Sequence, residues 1–180
     1  MNRRSFMRSL GALVAVPLTG ALPGRGERGP AMERMQNQQS GNWEPLRKSE
    51  EEWKGILTPE EFEILRKEGT EPAFSSPLND EKRSGTYICA GCFLPLFSSR
   101  AKFDSGTGWP SFTEPLEGHM ETKLDFKLIW PRREYHCARC GGHQGHVFND
   151  GPEPTGQRWC NNGVALDFVP EGHELPELRR

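Results

Sequence analysis

At 180 residues the chain is one domain, or one domain with a tail. Its formal charge of −2 makes non-specific nucleic-acid binding a poor expectation. Hydrophobic content of 34% and mean hydropathy of −0.74 leave a modest core, and 15 Pro with 20 Gly predict a loop-rich, mainly β fold.

The N-terminus reads as a targeting peptide over residues 1–21. Arg3, Arg4 and Arg8 form a basic start, followed by an apolar run from Leu10 to Leu18. That run is shorter than the roughly 20 residues a membrane span needs. Asn2 to Arg8 is similar to a twin-arginine export signal, with Arg3-Arg4 as the pair and cleavage expected after Ala21. The other reading is a basic N-terminus without a signal. Removing the segment strips three arginines and no acid, taking the charge from −2 to −5. The expectation is export to a bacterial periplasm, with no membrane attachment once the signal is gone. Residues 22–45, rich in Gly, Pro, Arg and Gln, read as a linker.

Two helix starts follow. Ser49 and Glu52 fit a capping box ahead of a short helix containing Trp53. Thr58-Pro-Glu-Glu61 fits a second, with proline at the first helical position and acids in the first turn. Phe62 and Leu65 share a face there, and Gly69 is expected to end the helix. Beyond Gly85 the pattern changes to strands: 86–89, a hairpin of 123–128 and 134–137 turning at 131–133, and 165–169.

Five cysteines divide into four plus one. Cys89 and Cys92 form one CxxC, Cys137 and Cys140 a second, with 44 residues between the pairs. Each pair ends a strand and is followed by turn-prone sequence, with a glycine expected at positive φ. Four thiolates at this spacing predict one structural Zn2+, with sulfurs about 2.3 Å from the metal and no open position for catalysis. A metal there also adds stability that a small core lacks. Two disulfides, or iron in place of zinc, are the alternatives.

Cys160 is then the odd thiol, in GQRWCNN. Upstream, His143 and His146 stand three apart with glycine between, a spacing able to turn both rings into one cleft. Arg158 lies two residues from Cys160, on the same face if the segment is a strand, and a guanidinium there lowers a thiol pKa. The pattern points to a nucleophile. A buried packing cysteine beside structural histidines is the competing reading.

Three longer motifs separate the two. Gly106-Thr-Gly-Trp-Pro-Ser-Phe112, Gly145-His-Val-Phe-Asn-Asp-Gly-Pro152 and Thr155-Gly-Gln-Arg-Trp-Cys160-Asn-Asn162 closely resemble the type B methionine sulfoxide reductases. So do both CxxC pairs and the stretch from Thr58 to Leu78, and the resemblance covers roughly residues 46–170 of a domain read as 46–172 with a tail at 173–180. It implies a zinc-stapled fold of two antiparallel sheets, a β-tent with short N-terminal helices. It implies reduction of the R epimer of methionine sulfoxide, mostly in oxidised proteins and peptides. A monomer is the separate expectation. Cys160 matches the family nucleophile, His143 and His146 the two active-site histidines, with His146 the expected acid. Asp150 and Asn162 match residues that orient this cluster, and Arg158 one that polarises the thiol. Trp109 matches the indole that packs against the substrate methyl, and Phe148 is expected to line the same pocket.

Position 107 departs from the pattern. Many family members carry a resolving cysteine there, and this chain has Thr107. With the remaining cysteines assigned to metal, an external, thioredoxin-like thiol is expected to reduce a Cys160 sulfenic acid, unless one of the zinc thiolates is recruited for that step. Three other readings compete: a non-catalytic zinc-stapled binding module, a thiol hydrolase using Cys160 and His146, and a nucleic-acid zinc ribbon.

Overall fold

A computed structural model describes residues 43–125 and 132–180. The signal reading at 1–21 and most of the linker lie outside the described residues. Two short helices come first among the described residues. Helix α1 (Glu50–Ile56) is capped by Ser49 and α2 (Pro59–Lys67) by Thr58, and both capping boxes are closed in both directions. Gly69 is not the residue that ends α2: the left-handed turn falls on Glu68 at φ 57°. No helix among the described residues is long and apolar enough to cross a membrane.

Among the described residues, nine strands build two antiparallel sheets. They are β1 (Gly85–Cys89), β2 (Pro95–Ser98), β3 (Lys102–Phe103), β4 (Ser111–Phe112), β5 (Met120–Asp125), β6 (Arg132–Cys137), β7 (His143–Phe148), β8 (Arg158–Asn161) and β9 (Leu166–Pro170). The smaller sheet has the order β2-β1-β9 and the larger β3-β4-β8-β7-β6-β5. The expected hairpin is the pair β5–β6, but its turn is displaced. Arg132 and Arg133 belong to the returning strand, where they face Asp125 and Leu124. Positions 126–128 of the expected strand lie outside the described residues.

Aromatic side chains fill the space between the sheets. Phe97 stacks on Phe112 at 4.0 Å between ring centroids, and Tyr87 meets Phe112 edge-on at 4.9 Å. Tyr135 and Trp159 continue the line at 4.9 Å. Such pairs contribute about 0.5–1.5 kcal/mol each beyond their buried area. Trp53 and Leu65 close the helical side of the same core.

Residues 173–180 do not form a detached tail. Arg179 donates its backbone N–H to the Cys92 carbonyl at 3.1 Å, and its guanidinium lies 4.4 Å over Phe93. Arg139 ties the two together by donating to both the Cys92 and the Arg179 carbonyls.

Candidate active site and metal centre

Strand alternation decides what β8 presents. Trp159 and Asn161 point into the core, where Asn161 accepts a hydrogen bond from the Tyr135 hydroxyl at 2.8 Å. Arg158 and Cys160 therefore emerge on the other face. In the register of β7 and β8, His146 stands opposite Cys160 and Phe148 opposite Arg158. Ser111 flanks Cys160 from β4. Gly145 is required here, because a Cβ on it would collide with the Cys160 carbonyl. The same face continues across β6 and β5, where Glu134 stands opposite His146 and Lys123 opposite Glu134.

Cys160 is partly exposed. Burial pushes its thiol above the ordinary 9.0, and the neighbouring Arg158 and Thr107 side chains pull in the other direction. The guanidinium thus acts as expected on the thiol but does not win. Asp150 explains part of this, since its carboxylate takes Arg158 in a two-pronged pair at 2.9 Å and 2.9 Å. Phe148 lies under the same guanidinium, 4.3 Å from it, so one side of its ring is covered by Arg158. Thr107, at the position of the family's resolving cysteine, joins a hydroxyl chain: its Oγ1 is 2.8 Å from Ser105 Oγ, itself 2.8 Å from Ser111 Oγ.

The two histidine rings lie 5.5 Å apart, and each has a buried carboxylate. His146 Nε2 is 3.1 Å from Asp125 Oδ2, which also accepts from Arg132 at 2.9 Å. His143 Nδ1 is 2.5 Å from Glu134 Oε1. Burial lowers the His146 pKa below the usual 6.5, with the Asp125 hydrogen bond opposing it. With Nε2 committed to Asp125, Nδ1 is the ring atom left to exchange a proton at the thiol face.

Asn162 sits deeper than the motif implied. Its amide donates to the Gln144 carbonyl at 3.0 Å and its oxygen accepts from the Glu71 backbone N–H at 3.1 Å. It holds β7 and the segment at Glu71 against the end of β8. Glu71 does more from the other direction. Its carboxylate accepts from the Gly163 and Val164 backbone N–H groups, and its carbonyl accepts from Trp109 Nε1 at 3.1 Å. Trp109 is thereby fixed to the same scaffold that carries Cys160. Phe74, 74% exposed, lies beside that loop, and its N–H donates to the Gly108 carbonyl at 2.7 Å.

The sequence reading missed Asp125, Glu134, Arg132 and Glu71. The first three carry a signal in the alternation of the β5–β6 hairpin, but only the register shows that they share a face with the histidines.

The metal centre joins the two sheets at the ends of β1 and β6. Cys89 Sγ lies 3.7 Å from Cys140 Sγ and Cys92 Sγ 3.5 Å from Cys137 Sγ, all four buried and free. A tetrahedron with metal–sulfur bonds of about 2.3 Å has edges of about 3.8 Å, so the donors fit one metal, and a disulfide would need about 2.05 Å. The positive φ of the knuckles falls one residue past each second cysteine, at Phe93 (64°) and Gly141 (68°), not at Gly91. Gln144 Nε2 donates to Cys89 Sγ at 3.4 Å, orienting a ligand from the strand that carries both histidines.

Comparison with known proteins agrees with this arrangement. The SelR domain family matches residues 57–170. A peptide methionine sulfoxide reductase MsrB of Methanosarcina mazei is 51% identical over 127 residues, covering 70% of this chain and 91% of that protein. The MsrB of Leptospira interrogans is 50% identical over 127 residues, covering 70% and 97%. The chloroplastic B1 enzyme of Arabidopsis thaliana is 53% identical over 119 residues, covering 66% of this chain and 59% of its own. The chain belongs to the SelR family, that of the MsrB peptide methionine sulfoxide reductases.

Proposed function

We propose that this protein reduces methionine-R-sulfoxide, chiefly within proteins and peptides, with Cys160 as nucleophile. The observation that carries the reading is His146 directly across the strand pair from Cys160, with Arg158 and Thr107 at the thiol and Trp109 tied to the same scaffold.

The chemistry balances without an added acid. Cys160 sulfur attacks the sulfoxide sulfur, the S–O bond breaks, and methionine leaves with the oxygen remaining on Cys160 as a sulfenic acid. A departing oxide needs a proton. The raised thiol pKa keeps Cys160 protonated at rest, so its own proton becomes the one the oxygen needs. His146 carries it through Nδ1 while Asp125 holds the ring. One external thiol then condenses with the sulfenic acid to a mixed disulfide and water. A second thiol attacks the sulfur of the first, expelling Cys160 as the free thiol and releasing a disulfide. A thioredoxin-like dithiol supplies both. Thr107 supports this external route, because a hydroxyl there offers no resolving sulfur.

Cys89, Cys92, Cys137 and Cys140 would hold zinc, which supplies structural cross-linking and no reaction step. The basic Arg3-Arg4 start supports export by the twin-arginine route, with repair of oxidised exported proteins as the role. The working unit is a monomer.

The test is turnover of peptide methionine-R-sulfoxide and S-sulfoxide by metal-loaded protein with dithiothreitol, beside Cys160→Ser. Turnover of the R epimer alone, lost in the variant, supports the reading. No turnover of either epimer by folded, reduced protein leaves the zinc-stapled binding module.

A further inference from the structure

A second cluster of metal-ligating side chains lies on the outer face of the large sheet, apart from the four cysteines. Glu134, His136 and His143 bring one ligand atom each to within 4.8 Å of one another. Their geometry converges on a single oxygen. Glu134 Oε1 is 3.1 Å from His136 Nε2 and 2.5 Å from His143 Nδ1. The other carboxylate oxygen, Oε2, faces Lys123 Nζ at 3.5 Å. Ligands on a tetrahedral zinc with bonds of about 2.0–2.1 Å stand about 3.3 Å apart. The Glu134–His136 pair already meets that spacing, and the shorter contact to His143 is a close polar approach that a cation between the two atoms would open.

We propose that Glu134, His136 and His143 form a second, open divalent transition-metal site whose filling withdraws His143 from the reaction face. The set is two imidazoles and one carboxylate, a donor combination that suits zinc, cobalt or iron and leaves positions for water. Lys123 need not leave, since it holds the oxygen that does not face the histidines and serves as the outer partner that ligating carboxylates usually have. A path from solvent exists. A surface cavity of about 320 Å³ is lined by Glu68, Lys123 and His136, with Glu68 Oε1 3.8 Å from His136 Nε2 as a further oxygen at its mouth.

The consequence for turnover follows from one ring. His143 Nδ1 bound to a cation fixes its tautomer and adds positive charge to a ring whose centroid lies 5.5 Å from that of His146. Zinc at this site is therefore an inhibitor. That half of the proposal rests on the reductase reading; the binding half does not.

The experiment titrates the full chain, its four-cysteine metal in place, with zinc alone and then cobalt alone. A second equivalent is expected to survive dialysis against micromolar zinc. With cobalt it is expected to give a ligand-field band without the thiolate-to-metal charge transfer of the first site. His136→Gln is expected to lose the second equivalent while keeping the first, and retention of the first reports that the variant is folded. Zinc inhibition of sulfoxide turnover is expected in the parent and not in His136→Gln. A single equivalent in the parent, a second one that persists in His136→Gln, or a second one with a thiolate signature overturns the site. A second equivalent lost in His136→Gln but without inhibition of a turning-over enzyme overturns the inhibitory role. A chain with no turnover on any sulfoxide overturns the reductase reading and leaves the binding arms to decide the site.

Discussion

Asp125→Asn probes the carboxylate hydrogen-bonded to His146. The Asp125 oxygen lies 3.1 Å from His146 Nε2. Two unit charges at that distance attract by about 5 kcal/mol at an effective dielectric of about 20. Arg132 sits 2.9 Å from the same oxygen and offsets most of that attraction. Asparagine also keeps a neutral hydrogen-bonding oxygen. What remains is the difference between a charge-assisted and a neutral hydrogen bond, about 1.4 kcal/mol, or about one pKa unit. The sign is downward, since burial already lowers the His146 pKa and Asp125 opposes it. The thiolate–imidazolium pair through which the Cys160 proton passes becomes about tenfold scarcer. Because the thiol supplies the proton that the ring passes on, kcat falls about tenfold across the neutral plateau, with KM unchanged. The assay is kcat against pH on a peptide R-sulfoxide, paired with NMR titration of the imidazole. A His146 pKa that moves down about one unit while kcat at neutral pH stays unchanged would refute His146 as the group that delivers the proton.

Three further outcomes are expected. Gly145→Ala forces a methyl into the Cys160 carbonyl and should cost about 3 kcal/mol, whereas Gly55→Ala, with open space in α1, should be neutral or stabilising by about 0.8 kcal/mol; thermal melts of both variants compare them. Stripping the four-cysteine metal under reducing conditions should abolish the cooperative melt seen by circular dichroism. Such a site binds with about 10–16 kcal/mol, comparable to or larger than the ~5–15 kcal/mol net stability of a domain. Burial lowers the His136 and His146 pKa values, so between those values and 6.5 the unfolded chain binds more protons than the folded one. Stability is then fully present above pH 6.5 and declines as pH falls through 6.5 toward the folded values, which urea melts at stepped pH would register as a falling midpoint.

The parts of the fold that sequence made legible are those set by local chemistry. Both capping boxes are short-range hydrogen-bond patterns, and Ser49 and Thr58 announce them within four residues. The cysteine pairs announce themselves by spacing. Less legible is whatever depends on register. Asp125 and Glu134 look like ordinary strand-surface acids until β5, β6 and β7 are aligned, and then both lie beneath histidines. The two misplaced turns have the same origin. Glycine predicts where positive φ is cheap, yet Glu68 and Phe93 adopt it at φ 57° and 64° while Gly69 and Gly91 do not. Phe93 has a tertiary partner in the Arg179 guanidinium that no local pattern records. Glu71 was invisible for a similar reason, because its role is to bridge two segments some 90 residues apart.

The alternation along β8 also governs which changes of length the chain tolerates. Deleting or inserting one residue between Arg158 and Asn161 would rotate every following side chain to the opposite face, sending Cys160 inward and Asn161 outward. A substitution in β8 removes one group, whereas a single-residue indel exchanges the hydrophobic and reactive surfaces together. Length variation is therefore confined to the connection between β7 and β8, where Gly151 to Gly156 forms a turn closed on itself by two backbone hydrogen bonds. Evolution and protein engineering alike have freedom there to reshape the rim above the thiol without disturbing the strand that presents it.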